Sequence, residues 1–154
     1  MKIEYLKDHP ELAETAAKWI YDEFIKDIKK DVSYETVLNR YFIYNKTKLP
    51  IHLVAITDEQ QCVGTISIDE NDLKCRKIYT PWLSSLYVDK PFRSRKVAQK
   101  LINRVIEITK ELGYKELYLR TEHTSDYYKK RGWLFVESCE DEYGLKPDIF
   151  KLNL

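Results

Sequence analysis

Residues 2–6 alternate apolar and polar side chains, the period of a half-buried strand, and beyond His9-Pro10 the period changes. Over residues 11–26, Leu12, Ala16, Trp19, Ile20 and Phe24 recur at helical spacing, which predicts an amphipathic helix. Ser33 suits the N-cap of a second helix running to residue 45, with Val37, Leu38, Tyr41 and Phe42 on one face. Residues 46–50 break that helix, and residues 51–57 and 61–68, joined by Asp58-Glu59-Gln60, read as a hairpin. Residues 69–80 form a polar loop of a length that in compact domains is often functional. A strand over 82–88 follows, then a helix over 94–112 with Val97, Leu101, Val105 and Ile108 on one stripe and Gly113 as its C′ residue. A strand over 115–121, a short helix over 125–130 and strands over 133–138 and 148–152 complete the chain. The order β-α-α-β-β-β-α-β-α-β-β, with no repeat, linker or low-complexity tract, predicts a single mixed α/β domain over residues 1–154.

The length of 154 residues is enough to bury a core without metals or disulfides. With 26 basic against 25 acidic residues, the formal charge of +1 argues against a nucleic-acid or anionic-membrane partner, so any anion site must be local. Cys62, Cys75 and Cys139 are odd in number and far apart, with no Cys-x-x-Cys and too few nearby histidines for zinc. No metal is expected, and a reducing cytoplasm fits best. The first residues lack the apolar core of a signal peptide and no later run approaches a membrane span, so a cytoplasmic protein with no membrane contact is expected. Twelve tyrosines and three tryptophans are enough to line a cleft, although packing is the first explanation for each one.

The most informative stretch runs from the apolar segment Leu86-Tyr87-Val88 through Pro91 into the basic turn Arg93-Ser94-Arg95-Lys96 and on into the long helix. The exposed N–H groups of a first helical turn and the positive end of its dipole attract anions, and three side-chain cations sit at the same place. A diphosphate would fit there. A solvated turn carrying three surface cations fits the same residues.

This segment resembles the acyl-CoA-binding motif of the GNAT superfamily of N-acetyltransferases, a strand, then Arg/Gln-x-x-Gly-x-Gly/Ala, then a helix. Arg93 takes the first position and Ala98 the last, while Lys96 replaces the middle glycine and Ser94 stands where glycine is also common. A second family element follows at the expected distance, a tyrosine four residues before a Gly-aromatic pair: Tyr128-Lys129-Lys130-Arg131-Gly132-Trp133. The resemblance covers nearly the whole chain. It implies the GNAT-like fold, an α/β (α+β) mixed sheet of about seven strands flanked by about four helices, in which the strands over 82–88 and 115–121 splay into a V-shaped cleft.

The same resemblance implies acetyl-CoA as cosubstrate and an amine of a small molecule or a protein as acceptor, and it makes a homodimer an option. Main-chain groups of Leu86, Tyr87 and Val88 would pair with the pantetheine arm, and Arg93, Ser94, Arg95, Lys96, Val97 and Ala98 would cradle the diphosphate. Thr121 or His123 would replace an asparagine that relatives place on the cofactor, and Tyr128 would protonate the leaving thiolate. For the general base, Glu122 is the choice among Glu122, Asp69, Glu70, Asp72 and His123. Trp19, Tyr21, Tyr34 and Trp82 are acceptor-pocket candidates, with core packing the competing explanation. A noncatalytic acyl-CoA-binding or sensor module and a nucleotide-binding domain are the rival functions. With no paired Cys and His in the sequence, a covalent cysteine intermediate is not expected.

Overall fold

The computed structural model describes residues 1–154. Its seven strands are β1 (Lys2–Tyr5), β2 (Ile51–Ile56), β3 (Cys62–Asp69), β4 (Trp82–Val88), β5 (Glu116–Thr121), β6 (Leu134–Ser138) and β7 (Asp148–Asn153). They form one sheet in the order β1-β2-β3-β4-β5-β7-β6. All neighbours are antiparallel except β4 and β5. Four helices cover the sheet: α1 (Ala13–Ile20), α2 (Tyr34–Tyr41), α3 (Val97–Glu111) and α4 (Ser125–Lys129). The expected mixed sheet, its strand count and its helix count are all present.

Alternation along the strands sends side chains to two different layers. Ile51, Leu53 and Ala55 of β2 join Val97, Leu101, Val105 and Ile108 of α3 in the larger core. Val54 and Ile56 turn the other way, onto Ala13, Ala16, Ala17 and Ile20 of α1 and Val37 and Tyr41 of α2. Gly64 of β3 lets α3 lie close to the sheet, because a Cβ there would sit 3.0 Å from the Tyr87 carbonyl oxygen and 3.2 Å from Leu101 Cδ1.

The helix expected over 11–26 is divided. A short 3₁₀ turn, Pro10–Leu12, leads into α1, and α1 widens into a π-type turn over Tyr21–Ile25. Such widened turns redirect side chains and are frequent at functional sites; this one carries Glu23 and Phe24 toward the cleft described below. Ser33 caps α2 as expected, accepting from the Thr36 N–H at 3.1 Å. The helix stops at Tyr41, four residues short of the expected end, where His52 Nε2 lies 3.0 Å from the Arg40 carbonyl oxygen and occupies part of the helix terminus. The helix expected from residue 94 begins at Val97, because Ser94 and Lys96 both hold φ +63°, a left-handed conformation no α-helix includes.

The connection from β3 to β4 folds back over the sheet. Leu73 and Tyr79 pack with Trp82, Tyr118 and Ile149, and Arg76 binds Glu137 of β6 at 2.6 Å. The Arg76 and Tyr79 hydrogen bonds hold the Glu137 carboxyl down at about 2. Trp82 is fully buried and donates its indole N–H to the Tyr79 carbonyl at 2.6 Å, so it belongs to the core and not to an acceptor pocket. The same fold-back brings Cys75 against Cys139 across 64 residues; sequence spacing carries no information about two loops that meet only after the sheet forms. Cys62 alone is free, and burial pushes its thiol up to about 11, which removes it as a nucleophile. No helix is long and apolar enough to cross a membrane.

Candidate active site

Strands β4 and β5 touch at one place, Trp82 against Tyr118, where the Tyr118 N–H also donates to the Pro81 carbonyl at 3.0 Å. Beyond it the two strands part, so the backbone edge of the rest of β4 faces an opening. A bulge marks the same stretch. Thr65 pairs with Tyr87 and Ser67 with Ser84, so Ile66 alone lies opposite both Ser85 and Leu86. Ser85 takes φ +53° to accommodate the extra residue. A bulge frees main-chain groups from the ladder and re-aims them, leaving the backbone of Leu86, Tyr87 and Val88 at the rim of the opening.

The opening continues into a cleft of about 730 Å³, within the size range of small-molecule sites. Leu86, Tyr87 and Val88 form one wall, and Arg93, Ser94, Lys96, Val97 and Ala98 form the floor at the N-terminus of α3. The Lys100 N–H donates to the Lys96 carbonyl at 3.1 Å. The helical N–H groups ahead of it have no intrahelical acceptor, the feature that lets a helix N-terminus bind anions. Arg93 behaves differently from its neighbours: its Nε donates to the Val88 carbonyl at 2.9 Å and its guanidinium lies over the Tyr87 ring at 5.3 Å. Arg95 rests against Phe92 with its charge at the surface, 5.5 Å from the ring centroid. Val97 is a core residue that can serve the cleft only through its main chain.

The opposite wall comes from α4 and the residues after it. Tyr127 and Arg131 line the cleft, with the Arg131 guanidinium 3.5 Å from the Tyr127 ring centroid. Both hold Gln99 of α3: Arg131 Nε donates to its Oε1 at 3.0 Å and the Tyr127 hydroxyl at 3.3 Å. Gln99, Arg131, Glu23 and Phe24 were not among the expected site residues. The first two adjoin the two family motifs in sequence, and that proximity is the only signal that could have found them. Tyr128 lies behind this wall, 8 % exposed, packed against Trp133 and Phe150, and burial pushes its phenol up to about 12.

A second, polar hollow of about 390 Å³ opens at the β5–α4 junction and contains Glu122 and His123, with Tyr127 common to both spaces. Glu122 is paired with Arg120 at 2.8 Å. Thr121 shares a 2.6 Å hydrogen bond with the Thr124 hydroxyl and accepts from the Thr124 N–H at 3.0 Å, so it fixes the loop entering α4.

Under α2, the sheet carries a polar layer. His52 Nδ1 lies 2.6 Å from Ser67 Oγ, and the ring stacks on Tyr41 at 4.5 Å. Burial pushes His52 down to about 4, leaving it neutral. Asp69 binds Arg40 at 2.8 Å and accepts from Ser84. Of the expected base candidates, the structure gathers Asp69 and Asp72 on this side and leaves Glu122 and His123 at the β5–α4 hollow. Trp19 packs against Tyr87 with the rings tilted and their centroids 5.4 Å apart, and Tyr21 meets Tyr34 edge-on at 5.5 Å, so these aromatics brace the α1 side of β4 and the α1–α2 contact.

Known proteins share this fold. The family model of the Acetyltransferase (GNAT) family matches residues 13–133. An N-alpha-acetyltransferase MAK3 of Arabidopsis thaliana is 28 % identical over 125 residues, which is 79 % of this chain and 63 % of that protein, so the chain spans less than two thirds of that relative's length. A crystal structure of an aminoglycoside 6′-N-acetyltransferase complexed with coenzyme A superposes with a TM-score of 0.74 at 20 % identity, covering 99 % of this chain and 97 % of that one. A GNAT-family acetyltransferase of Staphylococcus aureus Mu50 does so with a TM-score of 0.68 at 19 % identity, covering 99 % of both chains. With the family model matching most of the chain, and with the splayed strands, the bulge and the helix-end cleft all in place, this protein belongs to the GNAT family of acetyltransferases.

Proposed function

We propose that the protein transfers the acetyl group of acetyl-CoA to a primary amine by direct attack in a ternary complex. The observation that carries this reading is the junction of the bulged β4 edge with the N-terminus of α3, which offers an extended-chain docking edge and an anion site in one continuous cleft. The pantetheine amides would hydrogen-bond the main chain of Leu86, Tyr87 and Val88, and one N–H there would polarise the thioester carbonyl. The diphosphate would lie on the N–H groups of residues 94–98, with Arg95, Lys96 and Arg131 supplying charge. Arg93 would act by shaping that turn.

Tyr128 remains protonated at neutral pH and can donate a proton to the departing thiolate, with Tyr127 as the adjacent phenol that lines the cleft. Glu122, at the second hollow, would take the proton of the attacking amine, and His123 beside it would contact the cofactor. The acceptor is an amine of a small molecule or of a polypeptide; one solved neighbour is named for an aminoglycoside and the curated relative for N-alpha-acetyl transfer. The test is release of CoA thiol from acetyl-CoA in the presence of an alkyl diamine, an aminoglycoside and a peptide α-amine. Amine-dependent thiol release matched by acetylated amine supports the reading. Tight CoA binding with no release from any of the three would select a noncatalytic acyl-CoA-binding module.

A further inference from the structure

The sheet ends on β1 at one side and on β6 at the other, and its two edges are finished differently. An open edge is a template for pairing with another chain unless charge, irregularity or a cover blunts it. Edge β1 is four residues long, carries Lys2 and Glu4, and has its Tyr5 ring covered by Lys46 at 5.1 Å and Arg104 at 5.8 Å. The first half of β6 lacks these devices. Leu134-Phe135-Val136 carries no charge, and Leu134 and Phe135 are 50 % and 53 % exposed. Phe135 meets Phe150 edge-on at 5.8 Å on the α3 side of the sheet, while Val136 packs against the Trp82 and Tyr118 cluster on the other side. A bulge between Phe135 and Glu137 turns the second half of the strand out of line, so the apolar segment ahead of it is the part of the edge fit to pair.

We propose that β6 pairs with β6 of a second copy of this chain, antiparallel about a two-fold axis at Phe135, so that the two sheets join into one. The contact is isologous and closes on itself. It is independent of the acetyl-transfer reading. Phe135 lies opposite Phe135 of the second copy, and Leu134 lies opposite its Val136, which gives an aromatic pair on one face of the joined sheet and aliphatic pairs on the other.

The choice of a second copy rests on charge. The residues leading into β6 include Lys129, Lys130 and Arg131, and those leaving it include Glu140 and Glu142, all of them exposed. The other two carboxylates of this stretch are already matched, Glu137 by Arg76 at 2.6 Å and Asp141 by Arg120 at 2.8 Å. Antiparallel pairing of identical strands lays the cationic end of each copy beside the acidic end of the other, whereas parallel pairing would set like charge on like. A copy of the same strand therefore matches this edge at both ends. One short strand edge makes a small interface, so the association is weak and depends on concentration.

Sedimentation velocity on the full chain, over a dilution series reaching about 200 µM, reads the oligomeric state in the range where a small interface associates. Wild type is expected to pass from monomer to dimer, with the dimer Kd rising several-fold between about 50 mM and about 500 mM salt. Leu134→Lys places a cation on the edge and is expected to raise that Kd about tenfold or more, with the Tm of the dilute monomer unchanged. A second pair of variants reverses the two ends separately. Lys129→Glu/Lys130→Glu makes both ends acidic and Glu140→Lys/Glu142→Lys makes both basic, so each alone should be monomeric and an equimolar mixture of the two should dimerise. A dimer that persists unchanged in Leu134→Lys and in both end-reversed variants overturns the proposal, as does a mixture of those two that stays monomeric. A wild type that remains monomeric at about 200 µM in low salt overturns it as well, whether or not an extended peptide binds the same edge.

Discussion

Arg93 Nε donates to the Val88 carbonyl at 2.9 Å, which makes the first residue of the anion motif a brace between the end of β4 and the turn into α3. In the proposed cofactor site this arginine would also fix the backbone that presents N–H groups. Arg93→Ala should therefore lower stability by about 1 kcal/mol and weaken CoA binding together with it. Arg95→Ala, whose side chain rests on the surface, should weaken CoA binding with no loss of stability. Denaturant unfolding beside CoA titration of each variant separates the two behaviours.

Lys96 holds a left-handed conformation at the N-cap of α3, a backbone that L-residues adopt at a cost of roughly 1–2 kcal/mol. Lys96→Gly should consequently raise stability by up to about 1 kcal/mol after the added freedom of the unfolded chain is counted, whereas Lys96→Ala should leave it unchanged. Equal midpoints for the two variants in urea would contradict this account of the turn.

Tyr128 is packed against Trp133 and Phe150 with its phenol pushed up to about 12. Tyr128→Phe retains the ring, so Tm should change little while kcat falls about tenfold or more and the acetyl-CoA KM stays constant. Tyr127→Phe removes the hydroxyl that reaches Gln99 and should instead change the acetyl-CoA KM. The reverse pattern would transfer the acid role to Tyr127.

His52 links the pH dependence of stability to the polar layer under α2. Burial holds its folded pKa at about 4, below the ordinary value of 6.5, so protonation favours the unfolded chain. The stability tied to the neutral ring is complete above pH 6.5 and is lost as pH falls through about 4. Tm should decline across that window, and His52→Gln, which cannot titrate, should decline less steeply.

Much of this architecture was written in local patterns. The strands from Ile51 to Val88 announce themselves by β-branched and apolar runs, the α3 stripe by its period, and the cleft floor by the basic turn between them. What sequence could not supply lies in contacts between distant segments. The end of α2 is set by His52, twelve residues past Arg40, and the divided α1 helix by a π-type turn that no propensity encodes. Trp82 looked like a pocket aromatic until the β3–β4 connection covered it, and Cys75 meets Cys139 through the same fold-back. Tyr41 read as an ordinary core-facing position of an amphipathic helix, and only the packed structure shows its hydroxyl without a partner.

In the proposed function the cleft between β4, α3 and α4 holds acetyl-CoA, and the decisive experiment is a thermal-shift titration with acetyl-CoA, CoA and ATP on wild type and Arg131→Ala. A ligand at about 100 times its Kd adds roughly 2.7 kcal/mol of apparent stability, several degrees for a domain of this size. Such a shift is expected with acetyl-CoA and CoA, none with ATP, and a smaller shift in the variant. No shift with either CoA form at millimolar concentration would contradict it.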